Sequence, residues 1–249
     1  MMKILLISDN VELLGRFRKI VKAKQDIVES HKMVFDYAFS SWNKALKEKF
    51  AAEDWIAPLN IKSDPGKIAE QYQLVISLHC KQIFPDQLVE GVRCVNIHPG
   101  LNPHNRGWFP QVFSIINGLP SGATIHEIDT KLDHGPVICQ KEVPIRSWDT
   151  SITAYNRILD AEMELLDANF EEIMTGQYET FDTEEGNLNL KADFDRLCEL
   201  DLDQNDSMRN HLNKLRALTH GDYANAYYRA EDGAKVYVKV ILERIHDGE

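Results

Sequence analysis

The chain is short of positive charge, of cysteine and of long apolar runs, and each shortage removes a class of function. Lys and Arg total 28 against 39 Asp and Glu, a net charge of −11. Neutralising a run of phosphates requires a basic face, so non-specific binding to nucleic acid is not expected. An anionic small ligand requires a locally basic pocket. The four cysteines, Cys80, Cys94, Cys139 and Cys198, form no CxxC pair and stand beside no histidine cluster at zinc spacing. Three lie in apolar stretches, as packed thiols of a reducing compartment do. No apolar run approaches the roughly 20 residues that span a bilayer. The opening Met1-Met2-Lys3-Ile4-Leu5-Leu6-Ile7-Ser8 lacks a signal-peptide cleavage pattern, so a cytoplasmic location is expected. There is no internal repeat, no low-complexity segment and no G-x-S-x-G elbow.

What is present is an ordinary globular balance: 249 residues, 43% apolar and 27% charged. That length suits one large domain, or one domain with an appendage. Lys3 to Ser8, Gln73 to Leu78 and Arg93 to Ile97 are short, continuous apolar runs, the pattern of buried parallel strands. Met33 to Phe39 reads as a further strand. Between these lie helical patterns: Leu13, Leu14, Phe17, Ile20 and Val21 behind the cap candidates Ser8, Asp9 and Asn10, then Trp42 to Phe50. Alternation of this kind implies βαβ units and a mostly parallel sheet. Ala123 to Ile128 and Val137 to Val143 are two more strands around the turn Asp133 to Pro136. Ile152, Tyr155, Leu159, Met163, Leu166, Phe170 and Ile173 mark the longest amphipathic helix, with Gly176 as its C-cap.

From about Phe181 the texture becomes polar and linker-like. Asp206 can cap a helix carrying Met208, Leu212, Leu215 and Leu218. Asn225 to Arg229 and Lys235 to Arg244 then read as a hairpin about Asp232-Gly233. Val236, Val238, Val240 and Leu242 would share one face, with Tyr237 and Ile241 on the other. A hairpin apolar on both faces needs cover on both sides, which a second subunit or its own domain can supply. The division expected is a catalytic domain over 1–180 and a C-terminal segment over 181–249.

The chemistry is concentrated between Val95 and Ile138. If Val95 to Ile97 end a strand, Asn96 and His98 point to one face, because side chains alternate with period two. Pro99 stops the ladder there. Ligands of open α/β sheets bind beyond the carboxyl ends of strands, so an amide and an imidazole would stand together where chemistry is expected. Asp133, in the turn after the next strand, can approach them. The three suit acyl transfer to an amine. Asn96 can donate to the negative oxygen of a tetrahedral centre. His98, when protonated, can do the same, or shuttle a proton. Asp133 can raise the histidine pKa or accept the amine proton through water. His126 shares a face with Thr124 and can support the three. The absence of an elbow, and of a cysteine with an obvious histidine partner, argues against a covalent acyl-enzyme.

Asn96-Ile97-His98-Pro99, followed by Gly122 to Ile138 (GATIHEIDTKLDHGPVI), resembles the folate-dependent formyltransferase family, whose pattern is N-x-H-P, G-x-T-x-H and L-D-x-G-x-I. The resemblance implies a Rossmann-like α/β core with a small C-terminal helix and hairpin. It implies catalytic roles for Asn96, His98 and Asp133, 10-formyltetrahydrofolate as co-substrate, and no metal. Leu101 to Pro110 (LNPHNRGWFP) is similar to the segment of nucleotide-sugar N-formyltransferases, as is Leu215 to Tyr227. That subfamily formylates the amine of a dTDP-4-amino-4,6-dideoxyhexose, with the glucose type favoured, and pairs its subunits through the terminal hairpin.

The resemblance further implies that the loop after Leu78, with Gln82, Ile83 and Phe84, holds the pterin opposite a wall containing Asp129. The acceptor's pyrophosphate would meet Lys81 and Arg106, or Arg216 and His220 from the C-terminal segment. Asn10 would bond a phosphate or sugar oxygen, and Trp108, Phe109 and Tyr223 would stack. Three alternatives stay open at this point: hydrolysis of formyltetrahydrofolate, formylation of glycinamide ribonucleotide or methionyl-tRNA, and a nucleotide-sugar-binding protein without catalysis.

Overall fold

A computed structural model describes residues 1–245. The first half of the chain alternates strand and helix: β1 (Met2–Ser8), α1 (Val11–Ala23), α2 (Gln25–Ser30), β2 (Met33–Ser40), α3 (Lys44–Lys49), β3 (Ile56–Leu59), α4 (Pro65–Gln71), β4 (Leu74–Leu78), α5 (Asp86–Gly91) and β5 (Cys94–His98). Then come β6 (Arg106–Gly107), α6 (Pro110–Asn117), β7 (Gly122–Glu127), β8 (Val137–Glu142), α7 (Ser151–Ala168) and α8 (Phe170–Thr175). The remainder carries β9 (Leu188–Asn189), α9 (Lys191–Cys198), α10 (Met208–Leu218), β10 (Tyr227–Arg229) and β11 (Lys235–Tyr237).

Seven strands form one sheet in the order β3-β2-β1-β4-β5-β7-β8. The pairs from β3 to β5 are parallel and β5 with β7 is antiparallel. The mostly parallel α/β reading is therefore correct. The chain leaves β1 first toward β2 and later returns on its other side as β4, so the strand order reverses between β1 and β4, the position where open α/β sheets bind ligands. β1 and β4 are buried on both faces through Ile4, Leu6, Ile7, Leu74, Val75 and Ile76, which explains their unbroken apolar sequence. Asn10 caps α1 by accepting from Leu13 N at 3.1 Å.

Two compact units can be distinguished. One comprises Met1–His98, Thr124–Gln140 and Glu162–Thr183; the other comprises Pro99–Ala123, Lys141–Ala161 and the chain from Glu184 onward. In the first, Arg93 closes the end of α8. It donates to the carbonyls of Ile173 at 2.7 Å and Met174 at 2.6 Å, which have no partner inside the helix. Gly176 ends that helix in the left-handed region at φ 77°, the expected C-cap, but the single amphipathic helix read from the sequence is divided at Asn169 into α7 and α8.

The C-terminal hairpin is shorter than its sequence pattern. The ladder pairs only Tyr227 to Arg229 with Lys235 to Tyr237. Val238 N donates to Ala226 O at 2.9 Å, one more contact in the hairpin's own register, and Val240 N then turns to Thr219 Oγ1 at 3.2 Å, outside the hairpin. The cap of α10 is Ser207, whose side chain accepts from Asn210 N. Asp206 instead accepts from Ser207 N and Asn210 Nδ2. The expected segment 181–249 ends on residues 246–249, which lie outside the described ones.

Ile76 is fully buried in β4 between β1 and β5. Ile76→Ala leaves a cavity there and is expected to destabilise the fold by about 2–5 kcal/mol. Urea unfolding should show this as a lower midpoint at unchanged slope.

Candidate active site

Antiparallel pairing sets β5 against β7 so that Asn96 faces His126 and His98 faces Thr124. Pro99 ends β5 directly after His98, which is buried, while Asn96 is half-buried. Asp133 arrives from the loop between β7 and β8. Its backbone is left-handed, at φ 47°, a conformation that costs a non-glycine residue about 1–2 kcal/mol and persists only where the surroundings impose it. Gly135 is part of that imposition, because a Cβ there would meet Glu127 O at 2.0 Å. The turn thus lies flat on β7 and presents the carboxylate to β5.

The three side chains named from the sequence meet. Asn96 Nδ2 donates to Asp133 Oδ1 at 3.0 Å, and His98 Nδ1 lies 3.7 Å from Asp133 Oδ2. His126, which the sequence placed in support, completes the group. Its Nε2 is 3.2 Å from Asn96 Nδ2 and its Nδ1 is 2.6 Å from Glu127 O. Burial pushes His126 down to about 4, a shift that the Asp133 carboxylate only partly opposes. It is therefore a neutral imidazole at neutral pH. An amide, two imidazoles and a carboxylate around one point can stabilise a developing oxyanion and move a proton, the requirements of acyl transfer without a covalent enzyme intermediate.

The loop after β4 is held by side-chain hydrogen bonds, some from residues that the sequence assigned to ligands. Asp9, at the end of β1, accepts from Ser40 N, Ser40 Oγ, Asn43 Nδ2 at 3.0 Å and Lys81 N at 2.8 Å. One carboxylate thereby ties together the chain after β1, β2 and β4. Sequence reasoning offered Asp9 only as a helix cap. Its donors lie 31 to 72 residues away, and no local signal reveals them. The Gln82 side chain accepts from Ile61 N at 2.9 Å and donates to Leu59 O at 3.0 Å. Phe84 packs into a core with Leu5, Ile7, Val75 and Leu88, whereas Ile83 is exposed. Asp129 accepts from Lys131 N and pairs with His134 at 2.7 Å. His79 (φ 54°) pairs with the fully buried Glu162 at 2.9 Å, and burial raises the Glu162 pKa. Burial also pushes the Cys80 and Cys94 thiols up to about 12 and Cys139 to about 11, leaving them unreactive.

In the second unit, Arg106 is buried and its guanidinium donates to Glu185 at 2.7 Å and to Gly186 O at 3.2 Å. Trp108 and Phe109 are partly exposed, Phe109 resting on Phe194 with ring centroids 4.4 Å apart. Asn105, fully buried at φ 51°, organises this segment. Its Oδ1 accepts from Asn117 at 2.8 Å, Asn187 at 2.7 Å and Asn189 at 3.3 Å, and its Nδ2 donates to Ser114 Oγ at 2.9 Å. Arg216 spends Nη1 on the carbonyls of Arg146 and Asp149. His220 bonds Ser151 Oγ at 2.9 Å beside the exposed Tyr223.

A family profile described as formyl transferase matches residues 13–169, and one described as N-formyltransferase dimerization C-terminal domain matches residues 193–244. The dTDP-4-amino-4,6-dideoxyglucose formyltransferase of Mycobacterium bovis is 55% identical over 179 residues, covering 72% of this chain and 76% of that relative. The crystal structure of a sugar N-formyltransferase from a Shewanella species matches with TM-score 0.94 at 46% identity, over 99% of this chain and 100% of that one. A formyltransferase from Anoxybacillus kamchatkensis, solved with UDP-4,6-dideoxy-4-formamido-L-AltNAc and tetrahydrofolate, matches with TM-score 0.58 at 25% identity, over 78% of this chain and 88% of that one.

Because its pKa is depressed in the fold, His126 favours folding only when neutral. Between the unfolded value near 6.5 and the folded value about 4, the unfolded chain binds the extra proton, so stability falls as pH falls. The loss attributable to this group is about 3 kcal/mol across that window. Urea unfolding between pH 7 and 4 should show a correspondingly flatter pH dependence in His126→Gln than in the parent.

Proposed function

The chain belongs to the formyl transferase family, and from that membership we propose that it moves a formyl group from 10-formyltetrahydrofolate to the amine of a dTDP-4-amino-4,6-dideoxyhexose, glucose type favoured. The observation that carries this is the meeting of Asn96, His98 and Asp133 at the carboxyl end of β5. The Mycobacterium bovis relative acts, by its name, on dTDP-4-amino-4,6-dideoxyglucose. Folate is supported by tetrahydrofolate in the Anoxybacillus structure.

In the proposed reaction the amine lone pair forms the new C–N bond while the carbonyl π pair moves onto oxygen. Its return breaks the bond to N10 of the folate. The amine gives up one proton, for which Asp133 is the acceptor, and N10 gains one. The products are the formamido sugar nucleotide and tetrahydrofolate. His98 donates to the oxygen as charge develops. On the folate side, the backbone of residues 81–84 and the exposed Ile83 offer hydrogen-bonding groups and an apolar surface, with Gln82 and Phe84 bracing the loop and Asp129 opposite. Asn10, Lys81, Arg106, Trp108, Phe109 and Tyr223 are proposed for the sugar nucleotide. Residues 181–249 are proposed as the dimer-forming segment, in keeping with the profile they match. Among the described residues no helix is long and apolar enough to cross a membrane, and the free cysteines accord with a cytoplasmic site.

Incubation with the folate donor and dTDP-4-amino-4,6-dideoxyglucose should add one formyl group to the sugar nucleotide by mass spectrometry. Release of formate without the amino sugar would instead favour a hydrolase. Asn96→Ala, His98→Ala and Asp133→Ala should each lower kcat by about 10²–10⁴ with the fold intact. If all three retain full turnover, the proposed site is wrong.

A further inference from the structure

The polarity of Asn96 is set by its neighbours. His126 Nδ1 lies 2.6 Å from the carbonyl of Glu127, which only accepts, so Nδ1 carries the ring hydrogen. In the neutral ring Nε2 then presents a lone pair. The Asn96 atom 3.2 Å from that lone pair must be a donor. The same atom lies 3.0 Å from Asp133 Oδ1, a second acceptor. Reversing the amide would set its oxygen against a carboxylate oxygen and a ring lone pair, losing two hydrogen bonds and adding repulsion. Two independent partners therefore impose one orientation. Nδ2 has two hydrogens, and two acceptors are placed to take them. What is left to face a substrate is Oδ1, to which no described residue donates.

We propose that Asn96 enters the reaction as a hydrogen-bond acceptor for the attacking amine, not as a donor to the developing oxyanion, and that His126 is the positioning residue that fixes this polarity. The inference rests on the formyl-transfer reading. Oδ1 accepts one N–H of the amine and so aligns the nitrogen lone pair with the formyl carbon. It takes no proton. The amine proton passes to Asp133, the carbonyl π pair moves to oxygen, and that oxygen draws its hydrogen bond from His98. Donor and acceptor duties are divided between two residues of one strand.

Two measurements test this. In the first, His126→Leu removes the acceptor and frees one Nδ2 hydrogen. kcat is expected to fall about tenfold or more, with KM for both substrates unchanged, because the amide loses its orientation. His126→Gln, which returns an acceptor near the position of Nε2, should restore most of it. Unchanged or raised kcat in His126→Leu would show that a freed N–H serves the oxyanion, and would overturn the proposal. The second needs only binding. The ¹³C-labelled formyl stretch of bound 10-formyl-5,8-dideazafolate, read by difference infrared spectroscopy, should keep its frequency in Asn96→Ala. A shift to higher frequency would mean that Asn96 donates to that oxygen, again overturning the assignment. Absence of formyl transfer by the parent protein would count against the function itself, an outcome distinct from either.

Discussion

The pairing of β5 with β7 is the constraint on which the site depends. Strand side chains alternate with a period of two, so a slip of one residue in that ladder would turn Asn96 and His98 to the other face and remove His126 from Asn96. The antiparallel strand beside β5 is thus more than an edge addition to a parallel sheet. It carries the imidazole that orients the amide, and its following turn carries the carboxylate. Burial of Ile97, Thr124 and Ile125 holds the register, so packing energy is converted into alignment of the Asn96, His98 and His126 side chains.

Much of this was legible in the sequence, for identifiable reasons. β1, β4 and β5 are buried on both sides and read as continuous apolar runs. Asn96 and His98 could be placed on one face from strand periodicity alone. α2, β3, α4, α5, α6 and α9 are not legible in the sequence. They are short, and their ends are set by features that leave no periodic trace: Pro58 within a four-residue edge strand, Pro85 before α5, and Phe109 in the left-handed region before α6. The hairpin was over-extended because Val238, Val240 and Leu242 continue the alternation after the ladder has ended. The role of His126 needed the register of two strands, which no local pattern contains. The bonds of Asp9 needed the sheet order.

Several groups assigned to ligands from sequence also brace the elements that would present ligands. Gln82 joins the loop after β4 to the chain at Leu59 and Ile61. Asn10 caps α1 and Phe84 fills the core. A sequence motif does not separate residues that shape a loop from residues that touch substrate. The buried pair His79–Glu162 belongs with the former, at the base of the same loop.

The asparagine cluster around Asn105 has a further consequence. The segment leading to Arg106, Trp108 and Phe109 is anchored by uncharged amides. Neutral dipoles are hardly screened by dissolved ions, and amides do not titrate between mild acid and mild alkali. The scaffold that carries Arg106 should therefore keep its shape in dilute buffer and in brine alike, while any attraction between that guanidinium and an anion weakens as ionic strength rises. Rigidity and charge recognition in this segment are consequently controlled by different variables.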